Sequence, residues 1–129
     1  MTAQQIKLPP PGRFAGFPNE LRHELASAGM KIVEPGDGTF KSFSLKYWDM
    51  CSFLAKKDNK IYIALIRARK PFGGALSRLF NEIYKLEFKI AAIAPIGDME
   101  VILSKWGFEP RKELIGGKHI EEVWYRRNS

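Results

Sequence analysis

The chain has a single cysteine, Cys51, in 129 residues. One thiol excludes an internal disulfide and a cysteine-rich zinc site, and no metal is expected. Cys51 falls in an apolar, strand-like run and is expected as a packed, inert thiol. Histidine is nearly as scarce: His23 lies off the apolar stripe of a short helix and His119 beside a turn, so both are expected in solvent. No run approaches the ~18 apolar residues of a membrane span, and the first residues lack the apolar core of a signal peptide. A cytosolic protein without a membrane partner is expected. Acidic residues are the minority charge, 14 against 21 Lys and Arg, which leaves a net charge of +7. That balance draws polyanions, but nucleic acid, an acidic partner and a phosphorylated cofactor satisfy it equally.

What is present suits one domain, with 45% hydrophobic residues to build a core and 27% charged residues to keep it dissolved. Residues 1–18 have no periodicity and contain Pro9-Pro10-Pro11, so they read as an extended, Pro-rich arm. Phe14 and Phe17 could anchor that arm on its own domain or on a larger protein assembly. Residues 19–129 read as a single folded domain. Asn19 is placed to cap a helix whose Leu21, Leu25 and Ala28 share a face and which Gly29 ends. Met30 to Val33 is a brief strand before the turn Glu34-Pro35-Gly36-Asp37-Gly38. Thr39 to Tyr47 alternates in part and is read as extended. Asp49 to Lys56 and Ile61 to Arg67 follow as strands around the turn Lys57-Asp58-Asn59-Lys60. Together these predict an antiparallel meander.

The strand from Ile61 is apolar on both sides, with Ile61, Ile63 and Leu65 on one face and Tyr62, Ala64 and Ile66 on the other. Such a strand belongs at the centre of a covered sheet. Leu76, Leu79, Phe80 and Ile83 then recur at helical spacing. Lys89 to Ala94 is a second strand apolar on both faces, so the three make a βαβ crossover with parallel strands. Asp98 is placed to cap a short helix that Gly107 ends. Phe108 to Leu114 and Ile120 to Arg126 form a terminal hairpin. The fold class is therefore α/β in the broad sense (α+β), with a mixed sheet.

The turn inside the crossover carries the chemistry. Gly73 and Gly74 let a ligand approach the backbone. The amides of roughly Phe72 to Leu76 are expected to leave the helix start pointing at it, where the dipole favours negative charge. Arg67, Arg69, Lys70 and Arg78 surround the position and suit phosphate. It is not a Walker loop, because no Gly-Lys-Ser/Thr closes it.

The order of elements, with Lys70-Pro71-Phe72-Gly73-Gly74-Ala75 in the turn and Val101-Ile102-Leu103-Ser104-Lys105-Trp106-Gly107-Phe108 ending the last helix, resembles the GNAT acetyltransferase superfamily. The resemblance covers about Asp49 to Arg127. It implies acetyl-CoA, or another acyl-CoA, as cofactor, with its pyrophosphate on the amides of Phe72, Gly73, Gly74, Ala75 and Leu76 beside Arg69 and Lys70. It further implies that the backbone of Leu65, Ile66 and Arg67 binds the pantetheine arm, between the strands that begin at Ile61 and Lys89. At the place of the family's frequent tyrosine acid stands Leu103, at that of an asparagine Ile96, and Pro71 removes one amide from the turn.

No catalytic base can be read. Asp98 is expected as a helix cap, Glu121 and Glu122 on opposite faces of a strand, and Tyr125 as a half-buried strand residue before it is an acid. Three functions stay open. The first is an acyl-CoA-dependent N-acyltransferase in which an amine attacks the thioester directly. The second is a non-catalytic structural or binding protein of that shape, similar to compact phage-encoded relatives and then found in the host cytoplasm or a virion. The third is nucleic-acid binding through Lys56, Lys57, Lys60, Arg67, Arg69, Arg126 and Arg127, with Trp48, Tyr62 and Phe72 as stacking residues.

Overall fold

The structure, a computed structural model, describes residues 18–70, 73–95, 97–115 and 119–127. The arm with Phe14 and Phe17, the turn residues Pro71 and Phe72, and Ile96 lie outside the described residues. Nine elements follow in order: α1 (Pro18–Ser27), β1 (Lys31–Val33), β2 (Phe53–Lys57), β3 (Lys60–Leu65), α2 (Ala75–Lys85), β4 (Lys89–Ile93), α3 (Asp98–Lys105), β5 (Phe108–Ile115) and β6 (His119–Arg126). The fold is mixed α+β, and the six strands among the described residues form one mixed sheet in the order β1-β2-β3-β4-β6-β5. Strands β1 to β3 are an antiparallel meander, β3 and β4 are parallel, and β6 returns antiparallel between β4 and β5.

Both faces of the sheet are covered, which is why its central strands are apolar throughout. On one face α2 buries Ala75, Leu79, Phe80 and Ile83 against Ile61, Ile63, Ile90 and Ala92, and α3 adds Leu103. Each of the buried Leu, Ile and Phe side chains contributes on the order of 1.5–3 kcal/mol. On the other face α1 lays Leu21 and Leu25 on Phe53, Ala55 and Tyr62. Asn19 is not the cap of α1 but lies within its first turn.

Two stretches depart from the strand pattern expected of them. Thr39 to Tyr47 is no strand but a chain of turns, closed by Phe43 N–H on Phe40 O and Trp48 N–H on Ser44 O. The meander's first strand is β1 instead. The loop is pinned from 40 residues away by Glu82 on α2. Its carboxylate accepts the Lys41 amide at 2.8 Å, the Ser42 amide at 2.8 Å and the Ser42 hydroxyl. This seats Phe40, Phe43 and Trp48 in the core. Likewise β2 starts only at Phe53, because Asp49 Oδ1 accepts the Cys51 amide at 3.0 Å and turns the chain. Cys51 is therefore exposed, not packed. Its hydrogen bond to Asp49, with some burial and the Asp49 charge, pushes the thiol pKa up, so it is a poor nucleophile at neutral pH.

Burial alone would raise the Glu82 pKa, but the hydrogen bonds from Ser42 and Lys41 outweigh it and hold it below the usual carboxylate value. A depressed native pKa stabilises above the unfolded value and is lost as pH falls through the native one. Glu82→Gln should therefore cost about 1.5–3 kcal/mol at pH 7, a drop in Tm of roughly 5–10 °C. The gap between wild type and variant should close in melts below about pH 4.

Candidate functional site

Strands β3 and β4 pair from Lys60–Lys89 to Ile63–Ala92 and then part. The notch expected along these strands is thus confined to their C-terminal ends. A bulge directs what faces it: Phe53 and Leu54 are consecutive, yet they pair with Leu65 and Ile63, which leaves Ala64 as an extra residue on β3. A bulge reverses the alternation beyond it. Ile66 therefore packs with the Ile61 and Ile63 cluster, together with Ala68, and not with Tyr62 and Ala64 as expected.

Beyond Leu65 the chain is held on one side by the loop before β2. Arg67 N–H donates to Ser52 Oγ at 2.8 Å, Arg67 O accepts the Asp49 amide at 2.8 Å, and Arg69 N–H donates to Tyr47 O at 2.8 Å. The backbone groups of Arg67 are therefore spent away from β4. By strand alternation those of Ile66 and Ala68 point the other way, into the notch.

The notch opens into a cleft of about 530 Å³ between β3, α2 and α3. Of the residues expected at the site, Ile66, Arg67, Lys70, Gly73, Gly74, Ala75 and Leu76 line it. Of the other expected residues, Phe72 and the Leu65 side chain are not among those described. Arg69 is turned away, its Nε donating to Leu45 O. Trp48, Ser77, Asp98, Met99 and Ile102 also line the cleft and were not foreseen. A signal for the α3 residues was available: helices that follow two parallel neighbours begin at the same end of the sheet.

Gly74 is the N-cap of α2 with φ 84° and ψ 5°, a left-handed conformation natural to glycine, and no side chain caps the helix. The amides of the first turn have no partner inside the helix and present a partial positive charge. Gly73 leaves the expected donor set, because its N–H closes a turn on Lys70 O at 3.1 Å. Gly97, not Asp98, is the N-cap of α3, and Asp98 is the first residue of the helix. The cleft thus joins two helix starts, the cations of Arg67 and Lys70, one carboxylate, and an apolar wall of Met99 and Ile102.

A second polar group was missed altogether. Glu113 accepts hydrogen bonds from Tyr125 Oη at 2.5 Å and Tyr62 Oη at 3.2 Å, while Lys60 Nζ lies 3.2 Å from Tyr125 Oη. It lies at the start of β3, roughly 20 Å along an extended strand from Arg67. Tyr125 is buried there, away from the cleft, and cannot serve it as an acid. Leu103 has no exposed surface.

Searches of known protein families, curated sequences and solved structures find no match to this chain. The residues themselves carry the functional reading. Of the three aromatics expected to stack on nucleic acid, Trp48 and Tyr62 are buried and Phe72 lies outside the described residues. Lys57 donates to Ala28 O, Lys60 sits at Tyr125 and Lys56 over Phe88. Among the described residues no helix is long and apolar enough to cross a membrane.

Proposed function

We propose that the chain binds an acyl-CoA in this cleft and transfers the acyl group to an amine. The observation that carries this is the combination, at one end of parted parallel strands, of a strand edge beyond the last β3–β4 pair and a glycine-capped helix start beside cations. A pantetheine arm has two amides, which match the backbone groups of Ile66 and Ala68. A pyrophosphate matches the first-turn amides of α2 with Arg67 and Lys70. The order of meander, crossover, short helix and terminal hairpin resembles that of the GNAT superfamily without its usual first strand, and supports the same reading.

In the reaction the neutral amine attacks the thioester carbon. The N–C bond forms, the C–S bond breaks, and the thiolate of CoA leaves with the sulfur electrons. The amine proton passes to that thiolate or to solvent. Neither Leu103 nor the distant Tyr125 supplies an acid, so the rate rests on holding both reactants in place.

A second reading, binding without turnover, is favoured by Leu103 itself, an apolar side chain where the resembling family has its acid. One titration series tests both. Saturating CoA at ~100 Kd should stabilise the fold by about 2.7 kcal/mol, a rise in Tm of roughly 10 °C. No shift at millimolar CoA overturns the proposal. A shift without acyl transfer to any amine in a broad panel leaves the binding protein.

A further inference from the structure

Beside the cleft, on the other side of the glycine turn, lies a second pocket of about 300 Å³. Lys46, Tyr47, Lys70, Gly73, Ala75 and Arg78 line it. Three of these are cations and none is a carboxylate. The Arg78 guanidinium lies 4.6 Å from the centre of the Tyr47 ring and Lys46 Nζ 5.4 Å from it, so one ring gathers both charges. Arg78 Nη2 is also 3.4 Å from Gly73 O, which ties the guanidinium to the turn and leaves the rest of its donor fork for another acceptor. Lys70, Gly73 and Ala75 line this pocket and the cleft alike.

Three like charges around one small space repel one another, and a bound dianion would relieve the repulsion. We infer that this pocket is a second phosphate site, taking a phosphate monoester carried by the same ligand whose pyrophosphate lies at the start of α2. The inference rests on the acyl-CoA reading and narrows it. The ligand then has two separate phosphate groups, one on each side of the turn, and Lys70 stands between them. The ribose phosphate of CoA supplies such a group, and dephospho-CoA lacks it while keeping every other atom.

Calorimetric titration of the full chain with CoA and with dephospho-CoA, in low salt, tests this. CoA should bind at least about tenfold more tightly, the effect of one well-placed charged contact. The preference should shrink as salt rises. In Lys46→Ala combined with Arg78→Ala the ratio should fall to about one. Both side chains are exposed, and circular dichroism checks that the variant is folded; Lys46→Ala alone, which leaves the Arg78 contact to the turn intact, should lower the ratio part of the way. Equal affinities in the wild type, or a preference that survives the double substitution, overturn the second site and leave the acyl-CoA reading standing. Binding of neither compound overturns both.

Discussion

Gly74→Glu should abolish the rise in Tm that CoA produces, with affinity reduced at least about a hundredfold, while the chain still folds. The backbone at Gly74 has φ 84°, and a side chain there costs about 1–2 kcal/mol. A Cβ would meet Arg78 Nη1 at 3.4 Å, an ordinary contact, so the strain is conformational and not a clash. A carboxylate at a helix start returns about 0.3–1 kcal/mol. The net loss is small against a typical stability of 5–15 kcal/mol. The loss of binding is large for a different reason. The new carboxylate lies within reach of Arg78 and of the first-turn amides, and becomes an internal competitor for the groups proposed to hold the pyrophosphate. Gly74→Ala separates the two effects: it has the same backbone strain without the charge, so it should lower Tm by a few degrees and keep a ligand-induced shift. If Gly74→Glu responds to CoA as wild type does, the helix start is not the phosphate site. Gly73→Ala probes a neighbouring constraint, since its Cβ would sit 3.1 Å from Lys70 O and force the turn to move.

The crossover from β3 through α2 to β4 was legible because its signals are local. A strand covered on both faces is apolar at every position, and Leu79, Phe80 and Ile83 announce their common face by spacing alone. Gly29 and Gly107 end helices with φ of 88° and 87°, as glycine after an apolar run suggests. The failures come from contacts between residues far apart in the chain. Thr39 to Tyr47 alternates well enough for a strand, but the carboxylate that bends it belongs to Glu82, and nothing in the loop's own residues records that partner. The bulge at Ala64 is equally invisible, yet it decides which side of β3 Ile66 and Ala68 face. So the glycines that line the cleft could be named from the sequence, while the strand edge expected to face it lies one residue away. Ile66 and Ala68, not Arg67, offer their backbone to the cleft. Arg69 shows the limit for side chains: a cation beside a glycine turn suggests phosphate, but a carbonyl at Leu45 claims it first.

Glu113→Ala should lower Tm by roughly 10 °C or more and leave CoA affinity within about twofold of wild type. Tyr62 and Tyr125 are each only 5% exposed, and Glu113 accepts a hydrogen bond from both phenols. Removing that acceptor strands two buried donors, at about 1–3 kcal/mol each, and such a loss translates into a shift of that size. Glu113→Gln keeps one acceptor oxygen and should fall between the two. The same network predicts how the fold meets alkali. Burial, then the Glu113 charge, pushes the Tyr62 pKa up from 10 to about 12, and the Tyr125 pKa is raised further by burial and by its hydrogen bond to Glu113. In the unfolded chain both phenols ionise near pH 10. The unfolded state thus loses its protons first, so the stabilisation is complete below pH 10 and drains away as pH rises toward 12. Urea melts from pH 8 to 11.5 should show that decline in wild type and a flatter profile in Tyr62→Phe combined with Tyr125→Phe, because phenylalanine has no proton to lose. Identical slopes would mean that the phenols are solvated and the network is not closed. A Glu113→Ala variant that lost both stability and CoA binding would couple this end of β3 to the cleft, and the geometry of a rigid, paired strand between them argues against that.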